Sequence, residues 1–194
     1  MRGLFDEVFI PDIKNLVCHS GGAIGSDIYW ENKIILHGGC CKAYSYKTDY
    51  HNSVNKVEIS NEDYLEGIEK VKIASKMLGR RFSPKYVNLT ARNWSQVKYS
   101  GQIIAISTIK DKVKGIVSGG TGYAVSMGIM NNKIVNVFDQ EENKWYVYKD
   151  AFGFIEIESA NILSNNFAGI GTRQLNNYGR NAIDDIIKGV NVNK

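Results

Sequence analysis

The chain has 194 residues, of which 43% are hydrophobic and only two are proline, enough apolar material for one ordinary folded domain (1–194) and the wrong composition for a disordered one. Lys and Arg number 24 against 20 Asp and Glu, a net charge of +4; with no block of like charges, this suits an anionic ligand without demanding nucleic acid. An odd set of cysteines, Cys18, Cys40 and Cys41, excludes a disulfide framework, and no apolar run approaches the roughly 20 residues that span a bilayer.

At the N-terminus, "MRGLFDEVFIPDIKN" interrupts its apolar residues with Asp6, Glu7 and Asp12. It has no signal-peptide core, and the expected location is cytoplasmic. A strand is predicted over 14–19, then a helix over about 22–32. "IILHGG" (34–39) reads as a short strand and loop. The tyrosine-rich segment over about 40–60 has no clear period and reads as a long loop excursion. Ser60, Asn61 and Asp63 open a helix with polar caps and acids in its first turn. Leu65, Ile68, Val71, Ile73, Met77 and Leu78 recur at roughly helical spacing and predict one buried face, ended by Gly79.

"SPKYVNLTARNWSQVKYSG" begins as a loop and turns helical by Thr90. "IIAIS" (103–107) is continuously apolar, as a strand covered on both faces should be. "KGIVSGG" leads into another helix, and "KIVNVFD" (133–139) is a second buried strand. "KWYVYK" and "FGFIEIE" alternate and predict antiparallel or edge strands; Trp145, Tyr146 and Tyr148 suit a core or a dimer surface. "NFAGIG" is the last strand, and 177–188 the closing helix, with Ile183, Ile186 and Ile187 on one face. Strands alternating with helices predict an α/β fold, a Rossmann-like, mainly parallel sheet flanked by helices, with a few added antiparallel strands.

Three junctions share a pattern: an apolar run, a glycine cluster, then a helix pattern. They are "CHSGGAIGSDIYWE", "VSGGTGYAVSMGIM" and "FAGIGTRQLNNYG". In a parallel sheet, ligands bind beyond the carboxyl ends of the strands, where helix N-termini present unpaired N–H groups and positive dipole ends. Glycine lets backbone approach a phosphate closely. The three clusters thus predict the walls of a phosphate-binding crevice: Ser20, Gly21 and Gly22; Ser118, Gly119, Gly120, Thr121 and Gly122; Gly171 and Thr172. No GK[ST] follows at Walker spacing, and no complete GxGxxG with a ribose-binding acid occurs. Arg92 and Arg173 are the candidate phosphate forks. Asp27 can accept from a ribose hydroxyl or simply complement its helix dipole. Tyr123 and Trp94 can stack on a base or pack in the core. Cys18, Cys40, Cys41, His19, His37 and His51 have no metal-ligand spacing, so neither metal nor cofactor is expected.

These junctions resemble the SLOG superfamily, which includes the Rossmann-like domain of DNA-processing protein A and the LOG phosphoribohydrolases. Gly21, Gly22, Gly25 and Asp27 match its "SGgAxGiD" signature. "ARNWSQV" before "GQIIAIS" is similar to its "RN" segment and following strand. "GGTGYAVSMGIMNNKIVNVFD" is similar to its "GGTxxAvxxA" element. Gly169, Gly171, Arg173 and Gly179 match "aivGtRxxSxyG". The likeness covers about 60% of the 194 residues. In DNA-processing protein A the "GtR" element opens the domain, whereas here it lies near the C-terminus; the resemblance therefore implies a permuted sheet with "NFAGIG" beside "NLVCHS". LOG enzymes carry "PGGxGTxxE"; here Ser118, Tyr123 and Ser126 replace its Pro, Thr and Glu. A hydroxyl cannot replace a carboxylate as general base near neutral pH without activation. The resemblance then implies binding of a nucleotide-derived signal, of ADP-ribose or cyclic-nucleotide type, with sensing or sequestration rather than hydrolysis. By analogy it also implies a homo-oligomer and a viral or defence-related setting. The alternatives are a LOG-type N-glycosidase using Asp27 or Asp139, and a single-stranded DNA binder, the latter not favoured by the weak charge.

Overall fold

A computed structural model describes residues 11–191, the side chain of Asn191 excepted. The readings of residues 1–10 and of the last three residues lie outside this range. A 3₁₀ turn (Ile13–Asn15) leads into β1 (Val17–Ser20), α1 (Ser26–Leu36), β2 (Cys40–Ser45), β3 (Lys56–Glu58) and α2 (Asn61–Met77). The chain continues through α3 (Val87–Ala91), α4 (Asn93–Lys98), β4 (Gln102–Ser107), β5 (Ile109–Asp111), β6 (Ile116–Val117) and α5 (Thr121–Met130). It closes with β7 (Ile134–Asp139), β8 (Lys144–Lys149), β9 (Gly153–Ile157), β10 (Asn166–Gly171) and α6 (Asn177–Asn191).

Eight strands form one sheet in the order β3-β2-β1-β10-β4-β7-β8-β9, and β5 and β6 form a small antiparallel pair. From β3 to β7 the pairings are parallel; β8 and β9 add antiparallel strands. The last strand in sequence thus lies mid-sheet: β10 pairs with β1 through Cys18 opposite Phe167 and with β4 through Ile104 opposite Gly169. "NFAGIG" therefore lies beside "NLVCHS".

Strand alternation divides the core into two layers. On one face, Ile103 and Ala105 of β4 pack with Val71, Trp94, Val125 and Met127 from α2, α4 and α5. On the other, Ile104 and Ile106 pack with Trp30 and Ile34 of α1 and Ile183 and Ile187 of α6. All six residues of β4 are buried, as its unbroken apolar pattern predicts. Trp145 and Tyr146 are 8% and 2% exposed, so of the two roles open to them they take the core.

Local sequence misleads in three places. Residues 34–36 form the last turn of α1, not a strand; Ile34 lies one turn beyond Trp30 and buries beside it, while Ile35 and Leu36 are exposed. The expected excursion over 40–60 contains two parallel strands, β2 and β3, so the long loop shrinks to 46–55. β2 has no apolar alternation because its polar residues find partners inside: the Tyr44 hydroxyl lies 3.0 Å from His19 Nδ1, and Ser45 Oγ donates to the Tyr46 carbonyl at 2.9 Å. In α2 the cap is as expected, Ser60 Oγ accepting from the Asp63 N–H at 3.0 Å, but Leu65, Ile73 and Met77 are exposed. The buried stripe runs through Gly67, Val71, Ala74 and Leu78. Ile73 stands about 200° around the helix from Val71 and cannot share it.

Candidate functional site

Beyond the carboxyl ends of β1, β10, β4 and β6 lies a pocket of about 500 Å³. Its lining includes Asp27, Arg92, Ser118, Gly119, Gly120, Thr121, Tyr123, Gly171, Thr172 and Arg173 from the predicted set. Ser20, Gly21, Gly22 and Gly122 do not reach it, and neither does Trp94, whose indole N–H donates to Glu66 at 2.7 Å under the Lys70 ammonium.

The backbone N–H groups separate the three glycine clusters by role. At the first junction several donors are occupied, while the N–H groups of Ile24, Gly25 and Asp27 find no acceptor among the described residues. Gly22 N–H donates to Ser20 Oγ at 3.0 Å, Ala23 N–H to Asp27 at 3.3 Å, and Ser26 N–H to the Thr172 carbonyl at 3.0 Å. With the Gln96 amide turned so that its oxygen faces the turn, it accepts from Gly21 N–H at 3.3 Å. This cluster is built for packing. A Cβ on Gly21 would stand 1.6 Å from Arg92 Nη1, and one on Gly22 would stand 2.4 Å from the His51 ring. The first turn is therefore a floor on which Arg92 lies.

At the third junction Gly171 N–H donates to Asp27 at 3.0 Å and Thr172 N–H to the Ile106 carbonyl at 2.8 Å. The second junction differs. The N–H groups of Gly119, Gly120 and Thr121, at the start of α5, find no acceptor among the described residues. Gly119 has φ +62°, which favours glycine. Gly120 has φ −68° and ψ −29°, open to any residue, and no atom lies within 4 Å of the position its Cβ would take. Nothing in the protein requires glycine there except the open pocket.

Charge around this cradle is mainly positive. Arg92 is partly buried; burial lowers its pKa, the Asp27 carboxylate acts against that, and the nearby Arg173 adds to it. In that same amide orientation the Gln96 oxygen also accepts from Arg92. Arg173 is exposed at the rim. Asp27, 5% exposed, is the one carboxylate among the described lining residues. Burial pushes it up to about 6, against the pull of the Arg92 charge and the N–H groups of Ala23 and Gly171; Glu31 adds a smaller upward push.

Arg80 was not legible as a site residue. Its guanidinium donates to the Gly119 carbonyl at 2.7 Å and the Val117 carbonyl at 3.2 Å, and sits over the Tyr123 ring. Asn93 Nδ2 donates to the Gly120 carbonyl at 3.3 Å. Together they occupy carbonyls of the cradle, whose neighbouring N–H groups have no acceptor among the described residues. The available signal was Gly79, whose φ of +62° ends α2 and delivers Arg80 to this loop. Away from the polar wall, Val71, Tyr86, Leu89, Tyr123, Ala124 and Ile170 make an apolar section.

The other acids considered lie elsewhere. Asp139 is buried, accepting from the N–H groups of Ile109 at 2.8 Å and Glu141 at 2.9 Å, outside the lining. Ser126 is buried in α5 and also outside it. Among the described residues, no group of three His, Cys, Asp or Glu side chains could hold a metal ion, and no helix is long and apolar enough to cross a membrane. Comparison with protein-family models, with curated proteins and with solved structures found no match to this chain.

Proposed function

We propose that the chain binds a phosphorylated, nucleotide-derived small molecule in this pocket, of ADP-ribose or cyclic-nucleotide type, and holds it without cleaving it. The observation that carries the reading is the start of α5, where three neighbouring N–H groups lack acceptors beside a glycine whose missing Cβ leaves only open space. Such a cradle suits phosphate oxygens. Arg92 and Arg173 add forked donors of the right charge, and the section around Tyr86, Leu89 and Tyr123 suits a base. The resemblance to the SLOG superfamily supports a nucleotide over a simple anion. Self-association belongs to the same proposal and is checked by light scattering with and without ligand.

The test is calorimetry with a panel of ADP-ribose, cyclic ADP-ribose, cyclic dinucleotides, nucleoside monophosphates and inorganic phosphate. Micromolar or tighter binding of a nucleotide, with phosphate far weaker, is expected. No member binding better than millimolar overturns the proposal. A LOG-type N-glycosidase is the second reading, favoured by Asp27, the lining carboxylate that titrates near 6. Both its oxygens already accept backbone N–H bonds, which favours a positioning role. Free base released from nucleoside monophosphates, and lost in Asp27→Asn, would establish the enzyme instead.

A further inference from the structure

We propose that Cys18 and Cys41 form an oxidation-sensitive pair that closes to a disulfide between β1 and β2. The two residues are direct partners in the parallel register of these strands. Neighbouring strands run about 4.8 Å apart, within the roughly 4.4–6.8 Å Cα separation a disulfide bridges. Register partners point to the same face, and both thiols join the layer beneath α1: Cys18 is fully buried beside Trp30 and Phe167, and Cys41 packs partly buried on the same layer. Adjacent Cys40 points to the opposite face and is exposed, so it cannot reach Cys18.

The environments give the two sulfurs different roles. Cys41 is partly accessible, its S–H donating to the Glu31 carbonyl at 3.6 Å. Cys18 has no solvent path, and burial first, then the neighbouring Cys41 thiol, push its pKa well above the usual thiol range. Cys41 is therefore the sulfur an oxidant meets, and Cys18, its partner in the strand register, is the thiol placed to resolve it. With hydrogen peroxide, the Cys41 thiolate attacks one oxygen, the S–O bond forms as O–O breaks, and the departing hydroxide leaves as water with the thiol's proton. The Cys18 sulfur then attacks the Cys41 sulfenic acid, S–S forms as S–O breaks, and a second water leaves with the Cys18 proton. Two thiols and one peroxide thus become one disulfide and two waters. The bond would enclose the whole β1–turn–α1 unit, which contains the Gly21 floor beneath Arg92 and the pocket carboxylate Asp27.

The test uses the native protein and Cys40→Ser, each treated with hydrogen peroxide, blocked with an alkylating agent and analysed by intact mass and peptide mapping. Expected is a loss of two hydrogen atoms' mass, a linked Cys18–Cys41 peptide, disappearance of two titratable thiols, and full recovery with dithiothreitol. The linkage should persist in Cys40→Ser. Oxygen addition at Cys41 without a linked peptide overturns the proposal. So do a bond that appears only through Cys40 and three thiols that stay reduced.

Discussion

Gly120→Ala separates a pocket that awaits a ligand from a turn that merely needs glycine. The backbone at Gly120 already has φ −68° and ψ −29°, and the added methyl would meet no atom within 4 Å. Folding should barely register it: a change within about 1 kcal/mol in urea unfolding is expected. Binding should register it strongly, because the methyl projects into open space beside the unpaired N–H groups. A loss of tenfold or more in affinity for the best nucleotide of the panel is expected, about 1.4 kcal/mol or more. Gly122→Ala is the internal contrast, two residues along the same helix. Its Cβ would stand 2.2 Å from the Val117 carbonyl oxygen, so that β6 and α5 must separate, at a cost of about 3 kcal/mol. Calorimetry and urea unfolding of both variants decide the matter. If Gly120→Ala binds as the native protein does, no ligand approaches that backbone and the cradle argument fails. If it unfolds as readily as Gly122→Ala, the space is not open.

Asp27 makes stability depend on pH in a definite direction. Its folded-state pKa of about 6 lies above its unfolded value near 4, so the folded protein holds the proton more tightly. The contribution is fully present below about pH 4 and is lost as pH rises through about 6, a difference of about 3 kcal/mol that Asp27→Asn should flatten in urea midpoints measured across that range. An anion brought beside Asp27 raises its pKa further, so binding near pH 6.5 should take up protons, read as a dependence of calorimetric heat on buffer ionisation enthalpy; heats independent of buffer would count against contact between ligand and Asp27. Arg92→Gln and Arg173→Gln should each weaken nucleotide binding about tenfold and reduce its salt dependence, measured by titration at two ionic strengths. Glu31→Ala should destabilise the fold by about 3 kcal/mol in urea, because buried Glu31 accepts from Ser20 Oγ at 2.7 Å, Asn55 Nδ2 at 3.2 Å and the Ser53 hydroxyl, which would lose their acceptor together.

What could be read from sequence follows how locally each feature is determined. β4 and β7 are apolar because helices cover both faces of the sheet, and that burial is written in consecutive residues. The cap of α2 is equally local, Ser60 and Asp63 meeting three residues apart. β2 is set by its neighbours instead: it is held by β1 and β3, and its tyrosine is partnered by a histidine 25 residues away. No window of sequence contains that information. The glycine clusters were legible as strand-to-helix junctions but not as different devices. "SGGA" and "SGGT" look alike, yet the amides of the first are taken by Ser20, Asp27, Gln96 and Thr172. The second is left open because Arg80 and Asn93, 39 and 27 residues from their partners, take up carbonyls instead.

The position of β10 gives this distinction its physical basis. Because the last strand inserts between β1 and β4, the Thr172 carbonyl reaches the first turn of α1 and the Gly171 N–H reaches Asp27. These two contacts occupy the Ser26 N–H and one oxygen of Asp27. Gly171 itself can only be glycine here: a Cβ would stand 2.3 Å from the Ile106 carbonyl and 2.6 Å from Ser26 Oγ. The central strand thus ties α1 to β10 beneath Arg92, and the start of α5 forms a pocket wall whose Gly119, Gly120 and Thr121 donors are free. An arrangement with β10 at the sheet edge would free the Ser26 N–H and remove Thr172 and Arg173 from the pocket. The late placement of this strand in the chain is therefore compatible with the site only because it comes to lie mid-sheet, so the pocket cannot assemble until the C-terminal third of the protein has folded into place.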